Sequence, residues 1–128
     1  MDAKLILILP LIERRLLNDD ITAFKIGKTS NEDERFSNEE YDLYEYASII
    51  ACSDNPDLIS AAESDMIQYF KSHNTLKGKS ENINNGSAGN TKANKLYIIA
   101  KGDEPRRFMD VLLDKFPLFE DMPISVLK

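Results

Sequence analysis

The chain has 128 residues, 42% of them hydrophobic and 30% charged, which suits one compact domain with a core of its own and argues against a disordered or fibrous protein. Its formal charge of -6 argues against avid, non-specific nucleic-acid binding over the whole surface, while leaving room for a local basic groove. A single cysteine, Cys52, excludes an internal disulfide framework or a multi-cysteine zinc site and fits an intracellular protein.

The chain begins MDAKLILILPLIERR. The apolar stretch, Leu5 to Leu9 with Leu11 and Ile12 beyond Pro10, is only about eight residues long, carries Asp2 before it and has no small-residue cleavage site, so it does not read as a signal peptide. It is far short of the roughly 20 residues of a membrane span. A continuous apolar run with a proline behind it reads as a strand buried on both faces. Ile12 to Asp20 is charged and ends in the turn signal Asn-Asp-Asp. From Thr22 to Lys28 the residues alternate, Phe24 and Ile26 against Ala23 and Lys25, and this predicts a second strand ending at Gly27. The two strands would pair as an antiparallel hairpin. In TSNEDERFSNEE one of Thr29, Ser30 or Asn31 caps a short helix that carries Arg35.

The segment YDLYEYASIIACS reads as a third strand, with Tyr44, Tyr46, Ser48 and Ile50 on one side, and its tyrosines read as core and strand surface. Next comes the strongest helix pattern: Ser53 or Asp54 as cap, Pro56 in the first turn, and Leu58, Ile59, Ala62, Met66, Tyr69 and Phe70 at three- and four-residue spacing. Glu63 lies at the edge of that stripe. About twenty residues rich in Asn, Gly, Ser and Lys follow, a loop long enough to be functional or disordered. KLYIIAK is a further strand, DEPRRFMDVLLDKF a final amphipathic helix, and PLFEDMPISVLK a tail apolar enough to pack.

Gly27-Lys28-Thr29 has the form of the end of a phosphate-binding loop, but that loop wraps phosphate with glycine amides and needs its first glycine at position 22, where this chain has Thr22. The nucleotide-loop reading fails on that ground. Instead, Ile26-Gly27 closing a strand, Arg35 ten positions after Lys25, Glu63 on a later helix and an asparagine of ENINNGSAG beyond it together resemble the GIY-YIG nuclease superfamily, and look most like its phage and viral branch. The resemblance spans roughly residues 4 to 101, leaving 102 to 128 as a C-terminal extension whose helix either completes the core or forms a dimer contact. The first signature of the family, Gly-Ile-Tyr, has no counterpart in LILILPL, and Lys25 stands where the second signature has tyrosine.

The resemblance implies an α+β fold, a small mostly antiparallel sheet in β-β-α-β-α-β-α order flanked by helices. It implies metal-dependent hydrolysis of DNA phosphodiester bonds, with Glu63 as the carboxylate ligand of Mg²⁺ or Mn²⁺ and Arg35 clamping the phosphate through its planar fork. Lys25 is then either a base or a phosphate contact, Lys28 a contact to the backbone, and Asn82, Asn84 or Asn85 the asparagine that orients water or ligand. Read from the residues alone, Lys25 is equally an exposed strand residue, Arg35 a partner of Glu32, Glu34 or Glu39, and Glu63 half of a helix salt bridge. Two functional readings stay open beside it: a catalytically degenerate relative acting as a nucleic-acid or protein interaction module, and an unrelated α+β adaptor.

Overall fold

The structure is a computed structural model and describes residues 1–84, 86, 92–102 and 115–128. The first element departs from the expectation: Ala3–Leu17 is a helix, α1, where the apolar run predicted a buried strand. A short apolar run does not by itself separate helix from strand. The residues flanking it decide. Leu5, Ile8, Leu9, Ile12 and Leu16 are the buried positions, a helical stripe that extends past Pro10, and Asp2 caps the first turn by accepting from the Lys4 amide. Pro10 sits inside the helix on its exposed side. The predicted hairpin therefore does not exist.

The next strand, β1, is Ile21–Thr29. Asn31 caps α2, Glu32–Phe36, as predicted, by accepting from the Glu34 amide. A 3₁₀ turn follows at Glu39–Tyr41. β2 is Tyr46–Cys52, and Asn55, one to two residues beyond the expected cap, opens α3, Pro56–Lys71. α3 buries Ile59, Ala62, Glu63, Met66, Ile67 and Phe70, so the apolar stripe is close to that expected, but Tyr69 points outward and Glu63 inward. The Asn-rich loop holds a 3₁₀ turn at Leu76–Gly78, and β3 is Lys95–Gly102. The expected final helix falls almost wholly on residues 103–114, outside the described residues. The tail packs as expected: Leu118 and Leu127 are buried, and Ser125–Val126 forms β4.

The sheet has the order β1-β3-β2-β4. β3 runs antiparallel to both neighbours, while β4 lies parallel to β2, so the sheet is mixed rather than wholly antiparallel. The α+β class stands. The predicted strand-strand-helix opening is replaced by helix-strand-helix, and the strand beside β1 comes from the far end of the chain. One face of the sheet packs Phe24, Ile26, Leu96 and Ile98 against α1 and α3. The other face carries a second cluster in which Tyr41, Tyr44, Tyr97 and Ile99 are buried. Strand alternation sends neighbouring side chains to these two clusters, which is how one strand serves both.

Candidate functional site

β1 is an edge strand, and its free edge is covered for only part of its length. The Phe24 amide donates to the Lys79 carbonyl, and the Phe24 carbonyl accepts from the Glu81 amide, each at 2.9 Å. Two residues on, the cover is a side chain. Asn82 Oδ1 accepts from the Ile26 amide at 2.9 Å, and its Nδ2 donates to the Ile26 carbonyl at 2.8 Å. The side-chain amide thus imitates a paired strand residue and satisfies both backbone groups. Past Ile26 the edge opens into a cleft of about 400 Å³.

This cleft brings together residues that the sequence separates widely: Lys25 and Lys28 of β1, Arg35 of α2, Glu63 of α3, Tyr97 of β3 and Asn82. The five residues Lys25, Lys28, Arg35, Glu63 and Asn82, singled out in the sequence, all line it. Asn84 and Gly86 line it too, from the loop, whereas Asn85 lies outside the described residues. Among the described residues the charged ones in its walls are Lys25, Lys28, Arg35 and Glu63, three cations against one carboxylate, a local +2 in a chain of net charge -6. The basic patch that the overall charge hides is here.

Tyr97 was legible in the sequence only as a strand residue. In the β1–β3 register it stands opposite Gly27, and its ring crosses the space a side chain there would fill. A Cβ built on Gly27 would lie 2.2 Å from Tyr97 Oη and 2.3 Å from Cζ. The Ile-Gly pair at the end of β1 is explained by this ring: glycine is required because an aromatic side chain lies across the backbone. Phe36 holds the ring edge-on, with centroids 5.3 Å apart.

From Tyr97 a relay of polar atoms leads to the guanidinium. Tyr97 and Tyr41 share a hydroxyl-to-hydroxyl hydrogen bond of 3.4 Å, and Arg35 donates to Tyr41 Oη, also at 3.4 Å. Burial, and then the bond to Tyr41, push the Tyr97 phenol well above its ordinary range, so its oxygen stays a neutral hydroxyl. The bond to Tyr41 raises Arg35 further above its ordinary value. Arg35 makes no ion pair among the described residues; Glu32, one of the partners the sequence offered it, is paired with Lys95 instead. The Lys25 ammonium likewise has neither hydrogen bond nor ion pair among the described residues, and sits 5.9 Å from the centre of the Tyr41 ring. Among the described residues neither of these two cations has an ion-pair partner.

Lys28 and Glu63 are different. Both are buried, the lysine 5% and the glutamate 7% exposed, which no surface role requires. Lys28 Nζ donates to Ser60 Oγ at 2.9 Å and stands 4.0 Å from Glu63 Oε1. Gly86, at φ +81°, closes on the carboxylate from the loop. Among the described residues Glu63 is the one acidic residue lining the cleft, and no three His, Cys, Asp or Glu side chains gather anywhere as a metal cage. A site holding Mg²⁺ through one carboxylate needs that carboxylate open to the ion and its waters. Here it already faces a fixed ammonium, and the donor set does not fit a resident divalent ion.

Elsewhere, no described helix is long and apolar enough to cross a membrane. A scan against protein-family models matches none, and searches of the curated proteins and of the solved structures return no match.

Proposed function

We propose that the cleft is a DNA phosphodiester site resembling the GIY-YIG type, which binds the backbone through its cations, with hydrolysis as the activity that the resemblance adds. The observation that carries this reading is the convergence of Lys25, Arg35, Glu63 and Tyr97 on one cleft of local charge +2. A second observation bears on the resemblance. The resemblance puts its first signature, with a tyrosine, on a strand before Ile26-Gly27; that segment is α1 here, and the strand antiparallel to β1 that carries a tyrosine, Tyr97, is β3. In this reading Arg35 and Lys25 take the non-bridging oxygens. Their charge would stabilise the negative charge that builds on those oxygens as water attacks phosphorus, giving its proton to solvent, and the P–O ester bond breaks, its oxygen taking a proton from solvent. Tyr41, bonded to Arg35 and to Tyr97, keeps the guanidinium in place, and the Tyr97 phenol is held protonated.

A second reading, binding without hydrolysis, is favoured by one observation. The carboxylate of the cleft faces Lys28, and the buried phenol is held protonated, so neither stands ready to take a proton from water. Fluorescence anisotropy with a DNA duplex at two salt concentrations, with plasmid nicking alongside, separates the possibilities. Arg35→Ala and Lys25→Ala are each expected to weaken binding, and each to lower the salt slope by about 1, the loss of one phosphate contact. Wild-type nicking lost in both variants supports hydrolysis. Salt-dependent binding without nicking leaves the binding module. Equal binding by all three proteins at both salt concentrations sinks the phosphodiester reading.

A further inference from the structure

We propose that the Lys28 ammonium is the resident cation of this cleft and stands at Glu63 in place of a divalent metal ion. Three observations carry it. First, the lysine is not a surface residue that happens to lie near an acid: its side chain is 3% exposed and that of Glu63 is 9% exposed. A buried ammonium and a buried carboxylate persist together only when each compensates the other. Second, the ammonium is anchored. Ser60, one turn before Glu63 on α3, accepts from Nζ at 2.9 Å, and the strand parity of β1 sends Lys28 to the α3 side with Phe24 and Ile26. Third, the carboxylate is crowded from the loop side. A Cβ on Gly86 would lie 2.8 Å from Glu63 Oε1, so backbone stands where part of a hydrated ion's shell would go.

A divalent ion at Glu63 would have to share one carboxylate with a fixed positive charge. The consequence is a cleft whose charge is complete without metal: Lys28 balances Glu63, and Lys25 and Arg35 remain for the anion. That consequence for DNA rests on the phosphodiester reading above; the assignment of the cation at Glu63 does not.

Manganese titration followed by electron paramagnetic resonance tests it, using the full chain and Mn²⁺ as the probe. The wild type is expected to bind Mn²⁺ no better than the neutral double variant Lys28→Met/Glu63→Gln. Lys28→Met alone, which removes the ammonium beside the carboxylate, is expected to bind Mn²⁺ at least about tenfold more tightly than either. Wild-type binding about tenfold tighter than that of the double variant would overturn the proposal. If Lys28→Met does not fold, the comparison of wild type with the double variant decides by itself, because that pair removes both charges together. DNA binding measured in excess EDTA keeps the two ideas apart. Unchanged affinity in chelator is expected, and loss of binding on chelation, restored by Mg²⁺, would count against Lys28. Absence of DNA binding under every condition would refute the phosphodiester reading and leave the manganese result standing.

Discussion

Gly27→Ala tests the fold and the site at once. The added methyl would sit 2.2 Å from Tyr97 Oη, 2.3 Å from Cζ and 2.9 Å from Cε1, against ordinary contact distances of 3.4–4 Å. To clear it, the ring must retreat by about 1.2 Å, the difference between 3.4 and 2.2. It has little room to do so: Tyr97 is 2% exposed, and Phe36 packs on it edge-on at 5.3 Å. Overpacking of this kind in a close-packed interior costs roughly 3 kcal/mol. Urea denaturation is expected to show that loss, with a midpoint shift and an unchanged slope. The displaced ring also carries the Tyr41 and Arg35 hydrogen bonds with it, so DNA affinity should fall although no charge has changed. A double-mutant cycle with Tyr97→Leu identifies the cause, because shortening the ring removes the obstacle and Gly27→Ala should then cost roughly 1 kcal/mol or less. A Gly27→Ala variant within about 0.5 kcal/mol of wild type would refute the reasoning, since it would mean that the ring does not cross the glycine.

Asn82→Ala removes the side chain that pairs with both the amide and the carbonyl of Ile26, and should cost about 2–4 kcal/mol in urea denaturation; Asn84→Ala, on an exposed residue, should cost under about 0.5 kcal/mol. Pro10→Ala restores an amide to the exposed side of α1 and should stabilise the protein by roughly 1–3 kcal/mol, read as a rise in melting temperature. The hydrogen bond from Lys95 holds Glu32 below its ordinary carboxylate value. A depressed acid stabilises the fold above its unfolded pKa, and that contribution is lost as pH falls through the lower folded value. Glu32→Gln should therefore be less stable than wild type at pH 7, with the gap narrowing as pH drops below about 4. A gap that is constant from pH 7 to pH 3 would exclude the pair as its source.

Several elements could be read from local chemistry because their signals are local. Asn31 and the acidic turn behind it define α2, the stripe from Ile59 to Phe70 defines α3, and alternation around Phe24 and Ile26 defines β1. The candidate residues Lys25, Arg35 and Glu63 were singled out through their order along the chain, and the structure brings all three to one cleft. The first apolar run was not legible as helix, because Leu5 to Leu9 satisfies either period and the deciding residues, Ile12 and Leu16, lie beyond Pro10 among charges.

What the sequence determined by itself is therefore the type of most elements, the rejection of a nucleotide loop at Gly27-Lys28-Thr29, and a set of candidate side chains. What only the tertiary structure decided is how they meet. Strand order depends on which hydrophobic faces can be buried together, so β3, roughly seventy residues later, pairs with β1 and lays Tyr97 over Gly27. Burial likewise depends on neighbours contributed by other elements. The sequence places Lys28 only as a contact to the backbone, through the resemblance; in the fold α3 meets it with Ser60 and Glu63, and its buried charge then has to be met by that carboxylate.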